Sequence, residues 1–141
     1  MRTRIFGVFL LVSTAQVLSL EVPDQYFTEH SLKCIAKLNV DKQIVGKHFD
    51  DSLHLPKGIK EMNNALECVA AESGIIKDDT LNIDLLKIHV RNTLIPLLGK
   101  GGSNSDELTE KAVRECKLDA KDCDRIVAIH NCIIDVITEC E

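Results

Sequence analysis

The stretch "ECKLDAKDCDRIVAIHNCIIDVITEC", residues 115–140, holds four of the six cysteines of this 141-residue chain. From about residue 120 onward its isoleucines and valines occupy most of a helical circumference. The polar residues that share one narrow arc are Asp124, Asn131, Asp135 and Thr138. A helix that is apolar over so wide an arc packs on several sides. We therefore expect a central C-terminal helix, from about Ala120 to Cys140, that cysteines tie to its neighbours.

The rest of the chain is also predicted to be helical. Apolar residues recur near helical spacing, Pro56 and Gly58 break the pattern, "GKGGSNS" is a loop, and Pro96 is expected to end the helix before it. No stretch shows a convincing strand alternation. The expected fold is all-α, with about six helices, tied by disulfides, around an apolar ligand cavity. Besides the C-terminal helix, the predicted helices are 23–38, 41–49, 59–73, 83–95 and 105–117.

Residues 1–19 have the pattern of a secretory signal peptide. Arg2 and Arg4 precede a short apolar segment, and small residues follow before Leu20. Residues 20–141 then form a single domain of modest core size. Without residues 1–19, 15 basic residues face 22 acidic ones and the net charge is −7. This charge argues against nucleic acid and against anionic membranes as partners, and we expect a secreted, extracellular protein without stable membrane insertion.

Six cysteines in a small secreted chain predict disulfides rather than a metal site, because no Cys-x-x-Cys pair is present. On one straight helix Cys123, Cys132 and Cys140 are separated by about 12 Å or more. A disulfide needs Cα atoms about 4.4–6.8 Å apart, so these three cannot pair with one another. If all six cysteines are paired, each of the three must reach Cys34, Cys68 or Cys116, and six pairings remain possible.

The cysteine spacing of the C-terminal stretch also resembles a known family. Cys116, Cys123 and Cys132 with the run "DCDRIVAIHNC", and the earlier segment "LECVAAESGIIKDDTLN", resemble the insect odorant-binding proteins, the pheromone- and general-odorant-binding group. The resemblance covers most of the mature chain. It implies an all-helical carrier with a closed, mostly apolar pocket. Two departures are that Asn64 stands where the family has a cysteine and that Cys140 is extra.

Carried over residue by residue, the resemblance implies the bridges Cys34–Cys68 and Cys116–Cys132. It leaves Cys123 without a partner and Cys140 unassigned. In the alternative, Cys68 bonds Cys123 and Cys34 bonds Cys140, while Cys116 still bonds Cys132. The sequence leaves both possibilities open.

Two function classes follow from these features. The first is a secreted carrier for a small hydrophobic ligand such as an odorant, a pheromone or a lipid-like molecule, for which a receptor is a further candidate partner. The second is a venom, salivary or seminal interaction protein that reuses the same scaffold. A saposin-like fold is a third option, but this sequence lacks the paired-cysteine pattern of that fold. No motif of an enzyme active site is present, so we expect neither catalysis nor a cofactor or metal.

The candidate ligand-binding residues are the apolar residues on the predicted inner helix faces and two histidines. The mature chain has only three aromatic residues, Tyr26, Phe27 and Phe49, so the pocket should prefer aliphatic to aromatic ligands. His130, at the centre of the apolar arc, is either a core histidine bonded to a backbone carbonyl or a hydrogen-bonding residue of the pocket. In the second case its protonation should lower ligand affinity as the pH falls from 8 to 5. His89 is a second candidate of this kind. The full set is Phe27, Ile59, Met62, Leu66, Leu85, Ile88, His89, Val113, Ile126, His130, Ile133 and Ile137.

Overall fold

The computed structural model describes residues 21–102, 104–117 and 122–139, and these residues form five helices. The all-α class is confirmed. The predicted signal segment 1–19 and Cys140 lie outside the described residues. The helices are α1 (Glu29–Leu38), α2 (Lys60–Glu72), α3 (Ile83–His89, continued by a π turn Val90–Leu94 and by Ile95–Leu97), α4 (Ser105–Glu115) and α5 (Arg125–Glu139). Short 3-10 turns span Asp24–Tyr26 and Gly46–His48.

The N-terminal part is less helical than the sequence predicts. The predicted helix 23–38 is interrupted because Thr28 is extended and caps α1: its hydroxyl accepts from the Ser31 amide, and the Ser31 hydroxyl accepts from the Thr28 amide. Such reciprocal capping fixes a helix start. The predicted helix 41–49 is reduced to the turn Gly46–His48, in a segment where Val45 and Gly46 are poor helix formers.

A small hairpin replaces the turn predicted at "KDDTLN". Strand β1 (Ile76–Lys77) pairs antiparallel with β2 (Thr80–Leu81), with Ile76 opposite Leu81. Asp78 and Asp79, at the turn, have φ of 53° and 60°, the left-handed values of a two-residue type I′ hairpin. Strands of two residues are too short to produce an alternation in the sequence.

Helix α3 does not end before Pro96 but continues to Leu97. Immediately before the proline, the Ile95 amide donates to the Val90 carbonyl, five residues back. This wider turn changes the hydrogen-bond register, so the amide that Pro96 lacks is accommodated within a continuous helix. The π turn therefore explains why a proline did not act as a helix end.

Helix α5 is central, as its wide apolar arc predicts. Ile129, Ile133, Val136 and Ile137 pack with residues of α3 and α4 in one core cluster. Val127 and Ile134, on another face, pack with α2 and with the segment 44–55 in a second cluster. One helix thus supplies both halves of the core.

Two disulfides connect the helices. Cys34 in α1 bonds Cys68 in α2, and Cys116, just after α4, bonds Cys132 in α5. These are the pairs that the family resemblance implies, and the alternative pairing of Cys34 and Cys68 with other cysteines is not formed. Cys123 is an exposed free thiol.

The polar arc of α5 binds the segment 50–58, here called the docked loop. The Asn131 amide oxygen accepts from the Leu55 amide at 2.8 Å, and its nitrogen donates to the Leu55 carbonyl at 2.9 Å. His54 Nε2 donates to Asp135 Oδ1 at 2.6 Å. Asp124 accepts from the Gly58 amide at 3.0 Å. The narrow polar arc predicted from the sequence is thus an attachment site for a loop.

Candidate functional site

A cavity of about 380 Å³ lies between α2, α3 and α5, with the N-terminus of α1 at its rim and the hairpin at one side. Its walls are mostly aliphatic. Its lining comprises Thr28, His30, Leu66, Val69, Ala70, Ser73, Ile75, Leu81, Leu85, Leu86, Ile88, His89, Asn92, Thr93, Leu94, Ile126, Ile129, His130 and Ile133. Its volume is within the range of about 300–1,000 Å³ that small-molecule sites occupy, near the lower end.

Seven of the twelve candidate residues lie in this lining. They come from α2, α3 and α5, which shows that the inner faces of these helices meet at one place. The seven are Leu66, Leu85, Ile88, His89, Ile126, His130 and Ile133.

The other five candidates lie elsewhere. Ile59 and Met62 pack in the second core cluster, and Ile137 is 1% exposed in the first. Val113 also belongs to the first cluster and borders a separate outer groove. The Phe27 ring lies under the Lys42 ammonium, 4.7 Å from its centroid. Helical periodicity identifies a buried face but does not separate core packing from a cavity wall.

The sequence reasoning missed several lining residues, above all those of the π turn. Asn92 and Thr93 follow Ile88 and His89 by about one helical turn, so extending the periodicity along α3 was the available signal. Leu81 belongs to the hairpin and Ile75 directly precedes its first strand; strands of two residues produce no alternation that could have identified them.

His130 has the backbone hydrogen bond expected of a core histidine, and it also borders the cavity. Its Nε2 donates to the Leu53 carbonyl at 2.8 Å, in the docked loop, and its ring also borders the cavity. The Phe49 ring lies 5.5 Å away, centroid to centroid. The pKa of His130 is lowered to about 4, mainly by burial and to a smaller extent by nearby His89 and His54, while the bond to Leu53 opposes the shift. The imidazole is therefore neutral at neutral pH.

His89 lines the same cavity without a hydrogen-bond partner among the described residues. Burial lowers its pKa from the ordinary value. By its accessible surface His89 is nevertheless an exposed residue, so it lies where solvent also reaches the lining. Neither ring nitrogen has a partner among the described contacts, so both can bond a ligand or water.

The cavity lining contains no lysine, arginine, aspartate or glutamate. Within residues 21–102, 104–117 and 122–139, no cluster of three or more histidine, cysteine or acidic side chains could hold a metal ion. The cavity is therefore a largely aliphatic space with a few polar side chains and no lysine, arginine or carboxylate in its lining.

Arg125, at the start of α5, links α5 to α2 and to the hairpin on one side of the cavity. Its guanidinium donates to both carboxylate oxygens of Glu67 in α2, at 2.8 and 2.9 Å, and to Asp79 of the hairpin at 2.9 Å. Its side chain is only 12% exposed. These carboxylates raise the pKa of Arg125 above its ordinary value. One side chain thus holds α2, the hairpin and α5 together beside the cavity.

We expect Arg125→Gln to lower the free energy of unfolding by about 1–3 kcal/mol, because a partly buried bidentate pair is lost. Lys33→Gln is the matched control: it removes the exposed ion pair from Lys33 to Glu72 in α2 and should cost less than about 1 kcal/mol. Urea unfolding of both variants measures the difference. Equal losses of unfolding free energy would show that the hydrogen bonds of Arg125 to Glu67 and Asp79 stabilise the fold no more than a surface ion pair does.

A sequence model of the PBP/GOBP family matches residues 21–136. The chain belongs to the PBP/GOBP family. Comparisons with curated proteins and with solved structures find no match. In this PBP/GOBP protein the matched region contains every residue of the cavity lining.

Members of the PBP/GOBP family are small carriers of the insect odorant-binding group and are typically secreted. In this PBP/GOBP chain, none of the helices that the structure describes is long and apolar enough to cross a membrane. Its described part has two disulfides and a free Cys123, with Asn64 in α2 at the position where the family resemblance places a cysteine.

Proposed function

We propose that this protein is a secreted carrier that binds a small hydrophobic ligand in the cavity between α2, α3 and α5, and that it is not an enzyme. The observation that carries the proposal is the uncharged, mainly aliphatic lining of that cavity, in a chain of a carrier family. Secretion directed by residues 1–19, with 20–141 as one domain, is part of the proposal and is supported by the two disulfides.

The volume of the cavity supports a ligand-binding site rather than a packing void. Protein interiors have few voids larger than a water molecule, whereas about 380 Å³ holds about a dozen water-sized groups. Ile88, 49% exposed, borders the cavity and so leaves apolar surface open to an occupant. A flexible apolar molecule would supply the contacts that the lining lacks.

The ligand should be aliphatic. Apart from imidazoles, the lining has no aromatic ring, so a planar aromatic ligand finds no stacking partner while a flexible chain can follow the isoleucines and leucines. We expect 1-decanol to displace a fluorescent apolar probe at a concentration at least about tenfold lower than an aromatic alcohol of equal carbon number, a preference of about 1.4 kcal/mol.

The displacement assay also tests the proposed function itself. Leu66→Glu, which puts a charge into the wall, should weaken displacement by 1-decanol, whereas Leu32→Glu, at an exposed leucine of α1 outside the lining, should not. If no apolar compound displaces the probe or binds by another method, the carrier function is wrong. A secreted interaction protein acting through its surface then becomes the better assignment.

A further inference from the structure

The polar side chains of the cavity differ in whether they are already hydrogen-bonded. The Thr28 hydroxyl accepts from Ser31 in the α1 cap, Ser73 donates to the Ala70 carbonyl at 3.3 Å, and His130 donates to Leu53. None of these needs a ligand to satisfy its main hydrogen bond. Among the described contacts, the polar lining residues without a side-chain partner are His30, His89, Asn92 and Thr93.

Three of these four residues lie together on α3. His89 is the last residue before the π turn, and Asn92 and Thr93 lie within it. Val90 and Leu94, at the two ends of the turn, are 0% and 4% exposed in the first core cluster. The turn is therefore anchored by its ends while its middle borders the cavity. His30 lies on α1 at the rim, and it is exposed, as are His89 and Asn92.

The absence of lysine, arginine, aspartate and glutamate from the cavity lining restricts what His89, Asn92 and Thr93 can bind. A carboxylate in the cavity would lose part of its hydration without meeting a lysine or an arginine, because none lines it. Burial lowers the pKa of His89, so its imidazole does not supply a positive charge at neutral pH. An uncharged hydroxyl or carbonyl needs only one hydrogen-bond partner, which a neutral imidazole or an amide provides.

We infer that His89, with Asn92 and Thr93 of the π turn, is the polar anchor of the cavity, which hydrogen-bonds an uncharged oxygen group at one end of an aliphatic ligand and disfavours carboxylates. This inference rests on the proposed carrier function and specifies how the ligand is oriented. The oxygen lies at α3, and the hydrocarbon chain extends along Leu66, Ile126 and Ile133 of the facing helices.

The test compares ligands that differ only at one end. Equilibrium dialysis at pH 8, with gas chromatography of both compartments, measures the affinities of 1-decanol, its isosteric hydrocarbon undecane, and decanoate. In the unsubstituted protein decanoate should bind at least about tenfold more weakly than 1-decanol. His89→Leu should weaken 1-decanol about 3–10-fold and leave undecane within about twofold.

Two further variants separate anchoring from general packing. Asn92→Leu, at an exposed position of the π turn, should also weaken 1-decanol selectively, and it serves if His89→Leu does not fold. His48→Leu, in the turn Gly46–His48 and outside the lining, is the control and should change neither ligand. If undecane and 1-decanol both bind but neither α3 variant changes their ratio, the anchor is wrong while the carrier function stands. If neither ligand binds, the carrier function fails.

Discussion

Replacing Cys34 and Cys68 by alanine should lower the free energy of unfolding by about 4 kcal/mol. The bridge closes a loop of 34 residues, and the loss of chain entropy in the unfolded state grows with loop length. The same replacement at Cys116 and Cys132, which close a loop of 16 residues, should cost about 3 kcal/mol. Both cysteines of the first bridge are in helices that pack on each other, so we expect α1 and α2 to separate first.

Guanidinium unfolding under non-reducing conditions measures both effects. Cys123→Ser is the matched control, because this thiol is free and exposed; it should change stability by less than about 0.5 kcal/mol. A double alanine variant as stable as Cys123→Ser would show that the bridge is absent from the folded protein or does not stabilise it.

Acidification from pH 7 to pH 4 should lower the free energy of unfolding by about 3 kcal/mol through His130 alone. The folded-state pKa of this residue is about 4, against an ordinary value of 6.5. Between these values the unfolded chain binds a proton that the folded protein does not, so stability falls as the pH drops and levels off below about pH 4. The lowered pKa of His89 acts in the same direction.

The variant His130→Phe should flatten this part of the stability profile, and His30→Gln, at an exposed histidine outside the core, should leave the profile unchanged. Urea unfolding between pH 7.5 and pH 4 makes the comparison. Identical slopes for His130→Phe and the unsubstituted protein would show that His130 is protonated equally in both states.

The same pKa revises the ligand-release hypothesis for His130. A fall in affinity between pH 8 and pH 5 would need this imidazole to gain a proton in that interval, but burial keeps it neutral down to about pH 4. We therefore expect ligand binding to change little above pH 5 on account of His130.

The central position of α5 was predictable because the residues of its wide apolar arc need partners on more than one side, and both core clusters provide them. The polar arc of this helix was equally predictable, but the segment that it binds was not. Asn131 bonds Leu55, which is 76 positions away in the sequence. Hydrogen bonds between distant segments leave no local periodicity, so the docked loop could not be inferred from the pattern of either segment.

The cavity was only partly predictable for a different physical reason. Leu66 and Met62 lie one helical turn apart on α2, and both are apolar, yet Leu66 lines the cavity and Met62 is fully buried in the second core cluster. Which of them faces an open space depends on how far α3 stands from α2. Leu81 of the hairpin and Asn92 and Thr93 of the π turn line the same space, and short strands and an altered hydrogen-bond register carry weak sequence signals.

The two disulfides also determine how the cavity can respond to ligands of different size. Each bridge joins neighbours in the sequence, α1 with α2 and α4 with α5, and among the described residues no bridge reaches α3. The cavity walls on α2, α3 and α5 are therefore held to one another by non-covalent contacts. These contacts include the hydrogen bonds from Arg125 in α5 to Glu67 in α2. Moving α3 outward for a longer ligand would cost packing contacts and the ion pairs Lys87–Glu110 and Arg91–Asp106, which join α3 to α4. Binding strength should then change gradually with ligand length, without a sharp upper limit.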